Sequence, residues 1–180
     1  MTNLRDRFPK SQQIASVFAV TSILFYGWTT YRFIQKLPSW LYYLNFQEIV
    51  SNYSYTLVSD FMECLIFVGA ILLLNFILPK KIFMDKFVAR GSLLALFGVG
   101  YLIYLAVMIG ESKATQFPFE LFTWAPYIAL AVLVASVSLP LISQVNKALE
   151  TFAENATIFL YILLPLTAIG LLVVVFNNLF

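Results

Sequence analysis

GSLLALFGVGYLIYLAVMIG, residues 91–110, carries no charged side chain and only three hydroxyl groups. Twenty helical residues at about 1.5 Å each cover roughly the 30 Å of a bilayer's hydrocarbon core. Four more uncharged runs flank this one, at 11–31, 64–79, 121–146 and 155–180. All but 64–79 reach spanning length alone. That run reaches it when the helix begins near Thr56 and takes Asp60 and Glu63 into its entry. The expectation is an all-α, polytopic integral membrane protein. Its five transmembrane helices should lie near 12–33, 56–78, 90–110, 122–144 and 156–177, in one membrane domain over 1–180. An outer interfacial segment rich in aromatic residues, 37–55, separates the first two.

Composition leads to the same class. The chain is 61% hydrophobic and 11% charged, whereas a soluble domain carries roughly 25% charged residues. A net charge of +2 is too small to point to a nucleic-acid partner. The absence of histidine removes the commonest metal and haem ligand and the usual acid–base group near neutral pH. The single cysteine, Cys64, excludes an intramolecular disulfide. No glycine-rich phosphate loop, nucleophile elbow or paired-cysteine metal motif is present. No catalytic residue, cofactor or metal is therefore expected.

The start resembles a signal peptide, with Arg5, Arg7 and Lys10 ahead of an apolar run. That run continues to about Tyr31, beyond the roughly 7–15 residues of a signal core, and no small-residue cleavage site follows. An uncleaved first span is expected.

Five spans put the termini on opposite sides. With the amino terminus cytoplasmic, the inner side holds Arg5, Arg7, Lys10, Lys80, Lys81, Lys86, Arg90 and Lys147, and the outer side only Arg32, Lys36 and Lys113. Short loops obey the positive-inside rule best, so the expected orientation is amino terminus in and carboxyl terminus out, with a bacterial plasma membrane as the default location. The inner loop 79–90 offers Lys80, Lys81, Lys86 and Arg90 to anionic head groups, each adding about 1 kcal/mol near the surface. Ordinary topology determination is the plainer reading of these charges, because the positive-inside rule already predicts them.

Segment 37–55 gathers Trp40, Tyr42, Tyr43, Phe46, Tyr53 and Tyr55. Amphipathic rings prefer the head-group level, so chain in the membrane plane is expected, with Pro38 and Ser39 starting a short helix and Glu48 near its far end. Trp40, Tyr42, Tyr43 and Phe46 make a candidate docking surface, with an interfacial connector as the plainer reading.

Asp60 and Glu63 stand three apart, on one helix face continued inward by Cys64 and Phe67. Ionisable groups inside a span are costly and often functional. Arg32 and Lys36 lie in the same leaflet, so ion pairs from Arg32 and Lys36 to Asp60 and Glu63 would tie the first two spans. The functional reading of the same four residues is an ion or partner site.

The other spans show packing features. Gly91 and Ala95 have the small-x-x-x-small spacing of close helix approach. Trp124 and Pro126 suit the start of the fourth span and Pro140 its end, while Pro165 should kink the fifth.

Function follows from what is absent and from the outer segment. The expectation is a non-enzymatic integral membrane subunit or accessory protein, embedded in the lipid bilayer and packed against a membrane-protein partner or its own copies. The rival is a small oligomeric transporter or channel with an outer carboxylate site at Asp60 and Glu63. A third class is a membrane enzyme or membrane anchor acting on lipid-linked substrates.

Overall fold

The computed structural model describes residues 8–79, 83–111 and 120–179, and these residues are helical with no strand among them. Among the described residues five longer helices pack together: α1 (Ser11–Tyr43), α2 (Phe46–Ile77), α3 (Phe87–Glu111), α4 (Ala125–Ser138) and α5 (Ser143–Leu179), with a single helical turn at Glu120–Thr123 ahead of α4. Single 3-10 turns at Met84–Lys86 and Leu139–Leu141 lead into α3 and out of α4. Four apolar runs become helices long and apolar enough to cross a membrane: Ser11–Tyr43, Phe46–Ile77, Met84–Gly110 and Ser143–Leu179. The remaining run is a shorter apolar helix, Ala125–Leu141. Pro126 lies in its first turn and Pro140 in its closing 3-10 turn, and each removes a backbone N–H that helix continuation would use.

Segment 37–55 is not an element of its own, which corrects the expectation of a short helix starting at Pro38 and ending near Glu48. Residues 37–43 are the last turns of α1, which runs through Pro38, and Phe46–Tyr55 are the first turns of α2. The chain reverses at Leu44–Asn45. There the Asn45 side chain accepts from the Glu48 backbone N–H at 2.9 Å, and the Glu48 carboxylate accepts from the Asn45 N–H at 2.8 Å. This reciprocal capping box satisfies two of the N–H groups orphaned at a helix start. Glu48 therefore marks the beginning of α2 rather than the end of a short helix. The two arms meet where Phe33 of α1 packs on Tyr53 of α2, 4.4 Å between ring centroids, and Phe33 also meets Trp40 of its own helix at 5.6 Å.

α1 is the central helix, packed against α2, α3 and α5. Its buried positions include Ser16, Ala19, Thr21 and Ser22, small enough to admit neighbours on several sides. Where α3 crosses it, a Cβ on Gly91 would lie 2.8 Å from Val17 Cγ2, so the expected close approach at Gly91 and Ala95 is real. α5 joins α1 through a 2.6 Å hydrogen bond between the Tyr26 and Thr167 hydroxyls. It joins α2 by Asn177 donating to Ser51 Oγ and Asn178 donating to the Tyr55 hydroxyl, both at 2.8 Å. α4 packs mainly on α3. Residues 143–155, expected as a loop in large part, belong to α5, and the helix continues through Pro165.

The backbones of α2 and α3 come close at few positions. The Phe67 ring of α2 reaches Gly98 of α3 and packs edge-on to Phe25 of α1, 6.1 Å between centroids. Elsewhere the two helices leave space beside α1, and that space holds the candidate site.

Candidate functional site

α2 buries one stripe of side chains, Leu57, Asp60, Cys64, Val68 and Ile71, with steps of three and four residues. Helical periodicity thus puts a carboxylate in line with core residues. Asp60 is 4% exposed. The Thr29 hydroxyl on α1 donates to Asp60 Oδ1 at 2.8 Å, and Asp60 Oδ2 has no hydrogen-bond partner among the described residues. Glu63, three residues on, lies off the stripe and is exposed; it accepts a long 3.4 Å contact from Ser59 Oγ. The two carboxylates are therefore chemically unlike, one sealed among helices and one in the open.

Both line a cavity of about 440 Å³ between α1, α2 and α3. α1 contributes Phe25, Trp28 and Thr29, and α2 adds Thr56 and Ser59 to the two carboxylates. α3 closes the opposite side with Val99, Leu102, Ile103 and Ala106. One wall is polar and acidic; the other is purely aliphatic.

The ion pairs expected from Arg32 and Lys36 to Asp60 and Glu63 are not formed. Asp60 is bonded to Thr29 instead, and Arg32 lays its guanidinium 5.7 Å from the centroid of the Trp28 ring. Lys36 is exposed one turn further out on α1. The reason is axial level. Asp60 is aligned with Thr29, whereas Arg32 and Lys36 stand one and two turns nearer the hairpin tip, where α2 presents Tyr53 to Thr30 and Phe33. Among the described residues no third carboxylate or thiol joins Asp60 and Glu63 in a metal-holding group.

The candidate docking residues gather at the α1–α2 tip. Tyr42 and Tyr43 are each 86% exposed and Phe46 is 81% exposed, while Trp40 is half-buried against Phe33. Beside them a groove of about 1100 Å³ opens among Asn45, Glu48, Ser51, Tyr55 and Asn177. Asn177, at the end of α5, helps shape it and carried no distinguishing sequence signal. Asn45-Phe-Gln-Glu48 did carry one, the spacing of a capping box, and it marks the reversal that the aromatic content obscured.

At the other end the candidate lipid contacts separate. Lys80 and Lys81 lie outside the described residues. Lys86 donates from Nζ to the Pro140 carbonyl, anchoring the end of α4. Arg90 is only 4% exposed, with Nε and Nη1 lacking partners among the described residues, in a stretch of α3 where Ala89, Gly91, Ser92, Leu93 and Leu94 are also buried.

Comparison with known protein families, with curated proteins and with solved structures finds no match to this chain.

Proposed function

We propose that this chain is a non-enzymatic integral membrane subunit or accessory protein that docks on a membrane-protein partner through the aromatic tip of its α1–α2 hairpin. In this reading the chain crosses a bacterial plasma membrane five times, with the amino terminus inside and the carboxyl terminus outside. α4 is then the shortest span, since the 17 residues Ala125–Leu141 cover about 25 Å, near the lower limit for a bilayer core. The excess of basic residues at the ends assigned to the inside supports the orientation.

The observation that carries the docking reading is the height of the tip. α1 continues eleven residues past Arg32, to Tyr43, or about 16 Å along its axis. The head-group region beyond the hydrocarbon core adds only about 5–8 Å on each side. With Arg32 at the head groups, Tyr42, Tyr43 and Phe46 project into water as bare rings on a capped, rigid turn. Clustered exposed aromatic side chains of this kind mark contact sites.

The test is purification in mild detergent with mass spectrometry of a stoichiometric partner. The Y42S/Y43S/F46S triple variant is expected to lose that partner while keeping its unfolding temperature. Retention of the partner by the triple variant would remove the tip as the docking element.

A second reading, a small oligomeric transporter or channel, is favoured by one specific feature: the buried carboxyl of Asp60 at the wall of a cavity. It calls for cation flux across proteoliposomes that is lost in Asp60→Asn and Glu63→Gln.

A further inference from the structure

A carboxyl group buried inside a helical bundle has three ways to become tolerable: a proton, a fixed counter-ion or a bound cation. Among the described residues Asp60 has no fixed counter-ion. Thr29 satisfies one oxygen only, and Oδ2 is left without a partner at a site 4% exposed. The adjoining cavity of about 440 Å³ is far larger than a bare alkali ion needs. It falls within the roughly 300–1,000 Å³ typical of pockets for small organic molecules.

The lining divides by chemistry. Asp60 and Glu63 lie on the α2 side, Leu102, Ile103 and Ala106 on the α3 side, and Trp28 belongs to α1 between them. An indole ring attracts cations over its face, and Arg32 already uses Trp28 in that way, at 5.7 Å. Acidic on one wall, aliphatic on the other and aromatic between, the cavity suits a ligand with the complementary division.

We infer that the cavity between α1, α2 and α3 binds a monovalent organic cation, an ammonium group carrying an apolar body. The cationic head lies toward Asp60, Glu63 and Trp28, and the apolar body lies against the α3 wall. A bound head supplies the charge that Asp60 lacks, and the body displaces water from an aliphatic surface that gains nothing from it. The inference uses the same cavity as the transporter reading but requires binding alone, not transport.

The probe is benzyltriethylammonium, whose positive charge does not change with pH and which has no N–H to donate. Binding is measured by equilibrium dialysis on the full chain in lipid nanodiscs of phosphatidylethanolamine and phosphatidylglycerol, with empty nanodiscs subtracted. Wild type is expected to bind saturably at one site per chain. Asp60→Asn should weaken binding about tenfold or more, and Glu63→Gln less, because an exposed carboxylate attracts a cation through a more polar medium. Glu154→Gln, an exposed carboxylate elsewhere on the bundle, should change nothing. Ala106→Trp keeps both carboxylates and fills the apolar side; it should abolish probe binding even if Asp60→Asn fails to fold.

Absence of saturable binding to folded wild type overturns the inference, as does binding unchanged in Asp60→Asn or Ala106→Trp. Heat protection by sodium chloride but not by the probe also overturns it, marking the cavity as a bare-ion site. Binding without flux leaves the inference standing and removes the transporter reading. Loss of the inference leaves docking through the hairpin tip untouched.

Discussion

Thr29 and Asp60 show how one hydroxyl sets the state of the site. The 2.8 Å bond from Thr29 Oγ1 to Asp60 Oδ1 is the only hydrogen bond the carboxyl makes among the described residues. Thr29→Val keeps the shape of the side chain and removes the donor, leaving a buried acceptor unsatisfied. The expected cost is about 1–3 kcal/mol, read as a lower unfolding temperature in detergent. The penalty should shrink in an Asp60→Asn background, because an amide demands less of its surroundings than a carboxylate. A cycle with fully additive costs would mean that the two side chains do not interact. Carboxylates in a span were legible from the sequence; their unequal burial was not. Asp60 and Glu63 share a face by spacing, yet only Asp60 falls on the stripe that α2 turns toward α1. Which sixth of a turn is sealed depends on where the neighbouring helix lies.

Close packing at the scale of the helix pair rests on Gly91. The α1–α3 crossing leaves no room for a Cβ there, since Val17 Cγ2 would be 2.8 Å away and Val17 Cγ1 3.1 Å away. Valine is stiff about χ1 and cannot swing aside freely, so Gly91→Ala must push the helices apart. Overpacking of this kind costs about 1–3 kcal/mol. Val17→Ala should recover much of the loss in the double variant, measured by thermal unfolding; no recovery would place the strain elsewhere. This contact was readable as small-x-x-x-small spacing from Gly91 to Ala95, although the partner helix was not. The hairpin tip shows the opposite case. Its aromatic content suggested chain lying in the membrane plane, but the Asn45–Glu48 capping box and the Phe33–Tyr53 contact make it two helical arms.

At the scale of the whole molecule, the alternation of helices puts Asn177 beside Ser51, near the hairpin tip, and Gln12 at the opposite end of α1. The proposed orientation gives a direct check. Asn178→Cys should react with a membrane-impermeant maleimide applied to intact cells, and Gln12→Cys should react only after the cells are opened. Cys64 is 0% exposed, so the native chain supplies a silent background. Labelling of Gln12→Cys in intact cells would reverse the orientation.

Membrane class was legible in the residues alone, because the number of consecutive apolar residues needed to fill a bilayer is a local quantity. So was the presence of two carboxylates, Asp60 and Glu63, three residues apart beside an apolar run. Assembly of the helices makes α1 central, brings the backbones of α2 and α3 close at few positions, and buries Asp60 against Thr29 while Arg32 turns to Trp28. None of this shows in a local pattern, because helices of similar apolarity do not mark their partners by composition or spacing. Pairing among them depends on the fit of small and large side chains across faces, and that fit exists only once the helices are assembled.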